Sequence, residues 1–73
     1  MPTKIENYSV LGNSIEFYGK DGTVSVLAEL DGDGKEWTIT NCETDTSKSV
    51  PASEDIVSDA SGIVGAVLGK ANG

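Results

Sequence analysis

The chain of 73 residues contains no arginine, no histidine and a single cysteine, Cys42. Without histidine it has no imidazole to act as a general base or to bind a transition metal near neutral pH. Without arginine it has no guanidinium group to hold a phosphate through two hydrogen bonds. One cysteine cannot form a disulfide within the chain, and it suits a reducing compartment such as the cytoplasm. These absences argue against an enzyme and predict no cofactor and no metal.

Positive charge and long apolar runs are also scarce. Twelve Asp and Glu residues against five Lys give a net charge of -7 at pH 7, which repels nucleic-acid phosphates and predicts no direct nucleic-acid binding. No apolar run reaches the ~20 residues that a membrane span needs. Met1–Tyr8 lacks the apolar run of a signal peptide. We therefore expect one small acidic domain over residues 1–73, cytoplasmic and without a membrane span.

Four short runs alternate between apolar and polar residues as β-strands do. The runs are about Ile5–Leu11, Ser14–Tyr18, Thr23–Leu30 and Glu36–Cys42. The links between them are Gly12-Asn13, Gly19–Gly22 and Asp31–Gly34. Their length and composition are typical of hairpin loops, so we predict a four-stranded antiparallel meander.

Loops of two, four and four residues predict a register for each hairpin. The predicted pairs are Tyr8–Phe17 and Val10–Ile15, then Ile15–Val26 and Phe17–Val24, then Val26–Ile39 and Ala28–Trp37. All three hairpins place their apolar residues on one face, because opposed residues in a sheet share a face. This predicted inner face consists of Tyr8, Val10, Ile15, Phe17, Val24, Val26, Ala28, Trp37 and Ile39. The outer face is hydroxyl-rich and acidic, and we expect it to face water.

The remaining residues, from 43 onward, are predicted to form one loop and one helix. Residues 43–50 are polar, lack a strand pattern and are predicted to form a loop. A helix is predicted over about residues 53–70, with Ser53 as its N-cap. Its apolar stripe consists of Ile56, Ala60, Ile63, Val64 and Val67, with Val57 and Leu68 at the edge. The predicted fold class is α+β: a four-stranded antiparallel β-meander with one C-terminal α-helix packed on one face.

The back of this helix carries small residues where Lys, Glu and Gln are expected. They are Ser58, Ser61, Gly62, Gly65, Ala66 and Gly69. Each glycine costs a helix roughly 1 kcal/mol relative to alanine. The small-x-x-x-small spacing is typical of a face on which a second backbone packs closely. Two alternatives remain open: the glycines are tolerated on a solvent face, or the segment is membrane-active, which the absence of Lys and Arg on the back disfavours.

Three possible chemical sites can be proposed from the sequence, and for each of them a structural role fits the residues better. A calcium loop counted from Glu29 has Thr40 at the twelfth position, where a bidentate carboxylate is needed. Cys42 has no neighbouring base to form a thiolate. Glu29 and Glu36 oppose each other in the predicted register, but an open face offers no pocket that would raise a pKa. We therefore predict no catalytic residue.

Three functions fit these observations, and none of them is catalytic. The first is a small acidic protein-interaction module that associates with itself or a protein partner through the helix surface of Ser58, Ser61, Gly62, Gly65 and Gly69. The second is an acidic inhibitor of the phage or mobile-element type, which imitates nucleic acid and blocks a basic nucleic-acid-binding protein. Its acidic surface would consist of Glu16, Glu29, Glu36, Asp21, Asp31 and Asp33. The third is an accessory structural subunit of a larger assembly.

Overall fold

The computed structural model describes residues 4–72, which form an antiparallel sheet with a helix across one face. The strands are β1 (Asn7–Leu11), β2 (Ser14–Tyr18), β3 (Val24–Leu30), β4 (Glu36–Asn41) and β5 (Thr46–Pro51), and the helix is α1 (Ile56–Asn72). Each strand pairs with the next along the chain, in the order β1-β2-β3-β4-β5. The predicted α+β meander is therefore confirmed, but the sheet has five strands and the prediction of four is wrong.

The fifth strand lies where the sequence predicted a loop over residues 43–50. β5 pairs along the whole of β4, from Asn41 opposite Thr46 to Glu36 opposite Pro51. In the turn between them, the side chain of Asn41 accepts a hydrogen bond from the backbone N–H of Glu43, and Asp45 has a φ of 55°. Aspartate tolerates this left-handed conformation, but glycine is the usual sequence signal for it. Residues 43–50 are also polar and lack the alternation of a strand, so neither the strand nor its turn has a clear signal in the sequence.

The register of β1 with β2 is as predicted, with Val10 opposite Ile15. The other two predicted registers are wrong by two residues, because Ile15 opposes Ala28 and Ala28 opposes Ile39. Between β3 and β4 the turn accounts for the whole shift, whereas between β2 and β3 it accounts for one residue and a bulge in β3 for the other. The turns contain left-handed glycines, Gly22 at a φ of 84° and Gly34 at 73°. They complete turns closed by the backbone hydrogen bonds from Gly19 to Thr23 and from Asp31 to Glu36. A shift of two residues keeps each side chain on its predicted face.

A bulge in β3 moves one residue to the other face. The register of β2 with β3 changes between Phe17 and Tyr18, so that Phe17 opposes Val26 while Tyr18 opposes Val24. Ser25 is the extra residue, and it is buried. Val24 shares the outer face with Tyr18 and takes no part in the core cluster, so its predicted place on the inner face is wrong.

The core lies between the inner face of the sheet and α1. Its buried apolar residues are Ile5, Ile15, Phe17, Ala28, Trp37, Ala60 and Ile63. Trp37, Phe17 and Ile15 are the largest side chains removed completely from water. Tyr8 and Val10 also belong to the inner face, but they lie on the edge strand β1 and are exposed.

The helix starts later than predicted. The carboxylate of Asp55 accepts a hydrogen bond from the backbone N–H of Ser58 at 3.1 Å, which is the contact an N-cap makes. Ser53, the predicted N-cap, instead accepts a bond from the N–H of Asp55. Of the predicted stripe, Ala60 and Ile63 are buried, whereas Ile56 and the edge residue Val57 are exposed.

Candidate functional site

The helix back, defined as Ser58, Ser61, Gly62, Gly65, Ala66 and Gly69, is a continuous exposed surface on α1. Apart from the adjoining residues and the backbone of the helix itself, a Cβ atom added to any of its three glycines would meet no atom within 4 Å. The helix therefore does not need glycine at these positions to fit against its own sheet. The structure brings the predicted helix residues together, and it leaves them uncovered by the described part of the chain.

A groove between α1 and β5 adjoins the helix back. Its first part is a cavity of about 320 Å³ between Ser58, Gly62 and Ala66 on the helix and Val50 and Pro51 on the strand. Its second part, of about 270 Å³, continues toward the end of α1, with Lys48 and Lys70 among its lining residues. The small side chains of the helix back thus also form one wall of this groove.

Three glutamates form an acidic diagonal across the outer face of the sheet. Glu16 on β2 opposes Leu27, Glu29 on β3 opposes Ser14 and Thr38, and Glu36 on β4 opposes Pro51. Each glutamate is therefore displaced by two residues from the one on the next strand. The predicted direct pair of Glu29 with Glu36 is wrong, since Thr38 occupies the position opposite Glu29.

The acidic residues in the turns divide between the two ends of the sheet. Asp31 and Asp33 lie in the turn between β3 and β4, beside Glu36, and Asp31 accepts a hydrogen bond from Thr38. Asp21 lies in the turn between β2 and β3, at the opposite end. The structure thus groups five of the six predicted acidic residues and leaves Asp21 apart.

Hydrogen bonds from Thr23 hold the pKa of Asp21 below its ordinary value. The hydroxyl of Thr23 is the larger cause, at 2.7 Å, and its backbone N–H is the second, at 3.1 Å. The carboxylate is therefore engaged in shaping its own turn. This structural role accounts for an aspartate in the turn between β2 and β3, so no binding partner is needed to explain it.

Positive charge is absent from the outer face of the strands. Lys20 and Lys35 lie in turns, and Lys48 lies opposite Ile39 on the inner face of β5. The strand residues of the outer face therefore present glutamate, serine and threonine without a neutralising ammonium group. Tyr18 donates a hydrogen bond to Glu16 at 2.8 Å, which fixes one of these carboxylates in place.

Asp59 is a residue that the sequence interpretation missed. Its carboxylate accepts hydrogen bonds from the backbone N–H of Ser53 at 2.8 Å and from the hydroxyl of Ser53 at 2.7 Å. It also accepts a bond from the indole N–H of Trp37 at 3.3 Å. These bonds lower the pKa of Asp59, with the backbone bond from Ser53 as the largest cause. Asp59 thereby ties the start of α1 to β4. The only sequence signal for it was an acid in the first turn of the true helix.

The described residues contain no cluster of three or more His, Cys, Asp or Glu side chains able to hold a metal ion. Cys42 is exposed at the start of the turn after β4. Within residues 4–72, no helix has both the length and the apolar character needed to cross a bilayer.

Comparison of the chain with protein families, with curated proteins and with solved structures finds no match.

Proposed function

We propose that this chain is a small, non-catalytic, acidic protein-interaction module, and that the helix back is its contact surface for a second copy or for another protein. The observation that carries the proposal is the open space around Gly62, Gly65 and Gly69. Each glycine costs the helix roughly 1 kcal/mol relative to alanine. Because nothing inside the described chain requires glycine there, a contact with another molecule is the better explanation.

The chemistry of the helix back suits close contact with another backbone. Its side chains are hydrogen atoms, methyl groups and hydroxyls, so a partner helix or strand can approach α1 closely. The surface is uncharged, although the chain carries a net charge of -7. It is therefore a part of the molecule on which a second acidic copy meets little direct repulsion.

Replacement of Gly65 by leucine tests this surface. Leucine is a good helix former and has open space to enter, so the variant should fold while its side chain blocks close approach. Sedimentation velocity over a range of concentrations measures self-association, and isothermal titration measures binding of a partner once one is isolated. Ile56→Leu is the matched control, because Ile56 is exposed and lies nine residues before Gly65, which at ~100° per residue places it on the opposite side of α1. If neither the binding of a partner nor any step of self-association is weakened in Gly65→Leu, the proposal is contradicted.

A second candidate function is inhibition of a basic nucleic-acid-binding protein. The observation that favours it is the acidic diagonal of Glu16, Glu29 and Glu36, extended at one end by Asp31 and Asp33. Regularly spaced carboxylates on a face without lysine imitate the charge of a phosphate backbone. Such a face would occupy the groove in which a partner binds DNA or RNA.

Charge reversal at Glu16 and Glu29 tests the second candidate. Glu16→Lys with Glu29→Lys should abolish displacement of a labelled duplex from a basic nucleic-acid-binding protein. Glu6→Lys with Glu54→Lys is the matched control, because it makes the same charge change at exposed sites outside the acidic diagonal. Displacement should also weaken as salt rises. Equal loss in both variants would show that net charge alone acts, and the candidate would fail.

A further inference from the structure

β1 is an unusual edge strand, because it exposes apolar side chains and carries no charge. Five large apolar side chains are exposed among the described residues, and three of them lie on β1: Tyr8 at 42%, Val10 at 50% and Leu11 at 56%. The sequence of the strand, NYSVL, contains neither a charged residue nor a proline. Edge strands of natural sheets are usually protected from further pairing by a charged residue or a proline. β1 has neither, so it can accept another strand.

The backbone groups of β1 that point away from β2 belong to Tyr8 and Val10. The two-residue turn makes Leu11 and Ser14 a hydrogen-bonded pair, and such pairs recur at every second residue of an antiparallel ladder. Ser9 therefore bonds toward β2, while Tyr8 and Val10 direct their N–H and C=O groups outward. In agreement, the N–H of Tyr8 donates to the side chain of Asn7 at 2.8 Å.

The other edge of the sheet is protected. β5 places Lys48 on the inner face, opposite Ile39, and ends at Pro51, which has no N–H to donate. A sixth strand beside β5 would bury an ammonium group or lose a ladder bond. The contrast between the two edges singles out β1.

We propose that β1 pairs in antiparallel fashion with β1 of a second copy, about a twofold axis at Ser9, to form one continuous sheet of ten strands. The inference rests on the proposed interaction role but uses a different surface from the helix back. In this register Tyr8 of each copy opposes Val10 of the other. These are the two residues whose N–H and C=O groups point away from β2. Each Tyr8–Val10 pair exchanges two backbone hydrogen bonds, and the aromatic and β-branched side chains meet on the inner face. The sequence is thus complementary to itself.

The charges of the two copies are compatible with this register. Glu6 of one copy lies opposite Gly12 of the other, so no acid faces an acid along the paired stretch. The two Glu16 residues are separated by three strand spacings, about 14 Å, which exceeds the screening length of about 8 Å at physiological salt. The uncharged strand is therefore a place where two acidic chains meet without direct repulsion.

Disulfide trapping tests the register itself. The twofold axis places Ser9 opposite Ser9 in a pair without backbone hydrogen bonds, where Cα atoms lie about 4.5 Å apart, within the range of a disulfide. In a Cys42→Ser background, Ser9→Cys should form a covalent dimer when oxidised with glutathione disulfide. Ser49→Cys, on the outer face of β5, is the matched control and should stay monomeric. Cross-linking of the β5 variant alone, or equal cross-linking of both, would overturn the proposal.

Sedimentation measures the free dimer without cross-links. A short strand pair gives a weak dimer, so the measurement extends to ~1 mM protein, a concentration at which millimolar dissociation constants are visible. Val10→Lys should abolish the dimer, since Val10 is exposed and the change places two ammonium groups at the pairing edge. Ser49→Lys and Gly65→Leu should retain it. A wild type that is monomeric at ~1 mM, or a dimer lost in Gly65→Leu but kept in Val10→Lys, overturns the pairing; the latter result supports the helix back instead.

Discussion

At the residue scale, Asp59 and Trp37 illustrate how one polar contact positions the helix. Trp37 is completely buried, yet its indole N–H reaches the carboxylate of Asp59 on α1. The same carboxylate binds Ser53, two residues before the N-cap Asp55. A buried indole N–H needs such a partner. Asp59 therefore gives the buried indole of Trp37 a hydrogen-bond acceptor. It also holds Ser53, and with it the segment that leads into α1, in place.

Asp59→Asn should make the free energy of unfolding less dependent on pH in the acidic range. The hydrogen bonds from Ser53 and Trp37 lower the folded-state pKa of Asp59 below 3.8, so its contribution is complete above that value and is lost as the pH falls through the lowered pKa. The asparagine variant should be less stable than the wild type near pH 7, and the two curves should converge in acid. Urea unfolding followed by Trp37 fluorescence at several pH values measures this. A smaller acid-dependent loss should remain in the variant, because the pKa of Asp21 is lowered in the same direction.

Gly65→Ala should stabilise the isolated chain by about 0.5–1 kcal/mol, because alanine has the higher helix propensity. Outside the backbone of its own helix and the adjoining residues, the added methyl group has no atom within 4 Å, so it makes no steric clash. Chemical unfolding of wild type and variant at a low protein concentration measures the difference. Destabilisation would show that the glycine is required within the chain, and would remove the main support for the helix back as a contact surface.

At the element scale, the turns set the register of neighbouring strands, which the alternation of apolar and polar residues does not specify. The two-residue turn at Gly12-Asn13 leaves one register for β1 and β2, and that register was predicted correctly. Longer loops allow several closing pairs, and left-handed residues select among them: Gly22, Gly34 and Asp45 each lie at the end of a turn. Alternation defines which residues share a face, but not which residue each one opposes. The wrong register of β3 with β4 has this cause, and that of β2 with β3 has it together with the bulge in β3. β5 was missed because its residues are polar and lack a strand pattern.

Asp45 provides a test of that account. Asp45→Gly should raise the free energy of unfolding by about 0.5–1 kcal/mol, because glycine adopts a φ of 55° without steric cost. Asp45→Ala should lower it by about 1 kcal/mol, because alanine has neither glycine's freedom nor aspartate's tolerance of this conformation. Thermal unfolding of the three proteins measures the order. A glycine variant that is less stable than the wild type would contradict it.

At the scale of the whole molecule, charge and apolar area occupy different surfaces. The outer face of the sheet is acidic, the helix back is small and uncharged, and the β1 edge exposes Tyr8, Val10 and Leu11. A net charge of -7 over 73 residues opposes the compact state through repulsion. Solubility and stability therefore make opposite demands on the same carboxylates.

Salt should therefore stabilise the monomer. Raising sodium chloride from a few millimolar to physiological concentration shortens the screening length to about 8 Å, which weakens repulsion among the carboxylates of the acidic diagonal. The urea midpoint should rise with salt in the wild type and rise less in Glu16→Lys with Glu29→Lys, where the net charge is -7 + 4 = -3. A midpoint that falls with salt would indicate that attractive ion pairs dominate.

The sequence by itself determined the fold class, the faces of four strands except at Val24, and the apolar stripe of the helix except at Ile56, because burial imposes periods of two and 3.6 residues on any chain that builds these elements. It also determined that Glu16, Glu29 and Glu36 share the outer face and that the helix back is small, since those depend on which side of an element a residue occupies. Only the tertiary structure decided the fifth strand, the registers around Ala28 and the contact of Asp59 with Trp37. These depend on single left-handed residues and on contacts between residues far apart in the chain, for which local pattern contains no signal. The open edge at β1 belongs to this second group, because an edge exists only once the order of the strands is set.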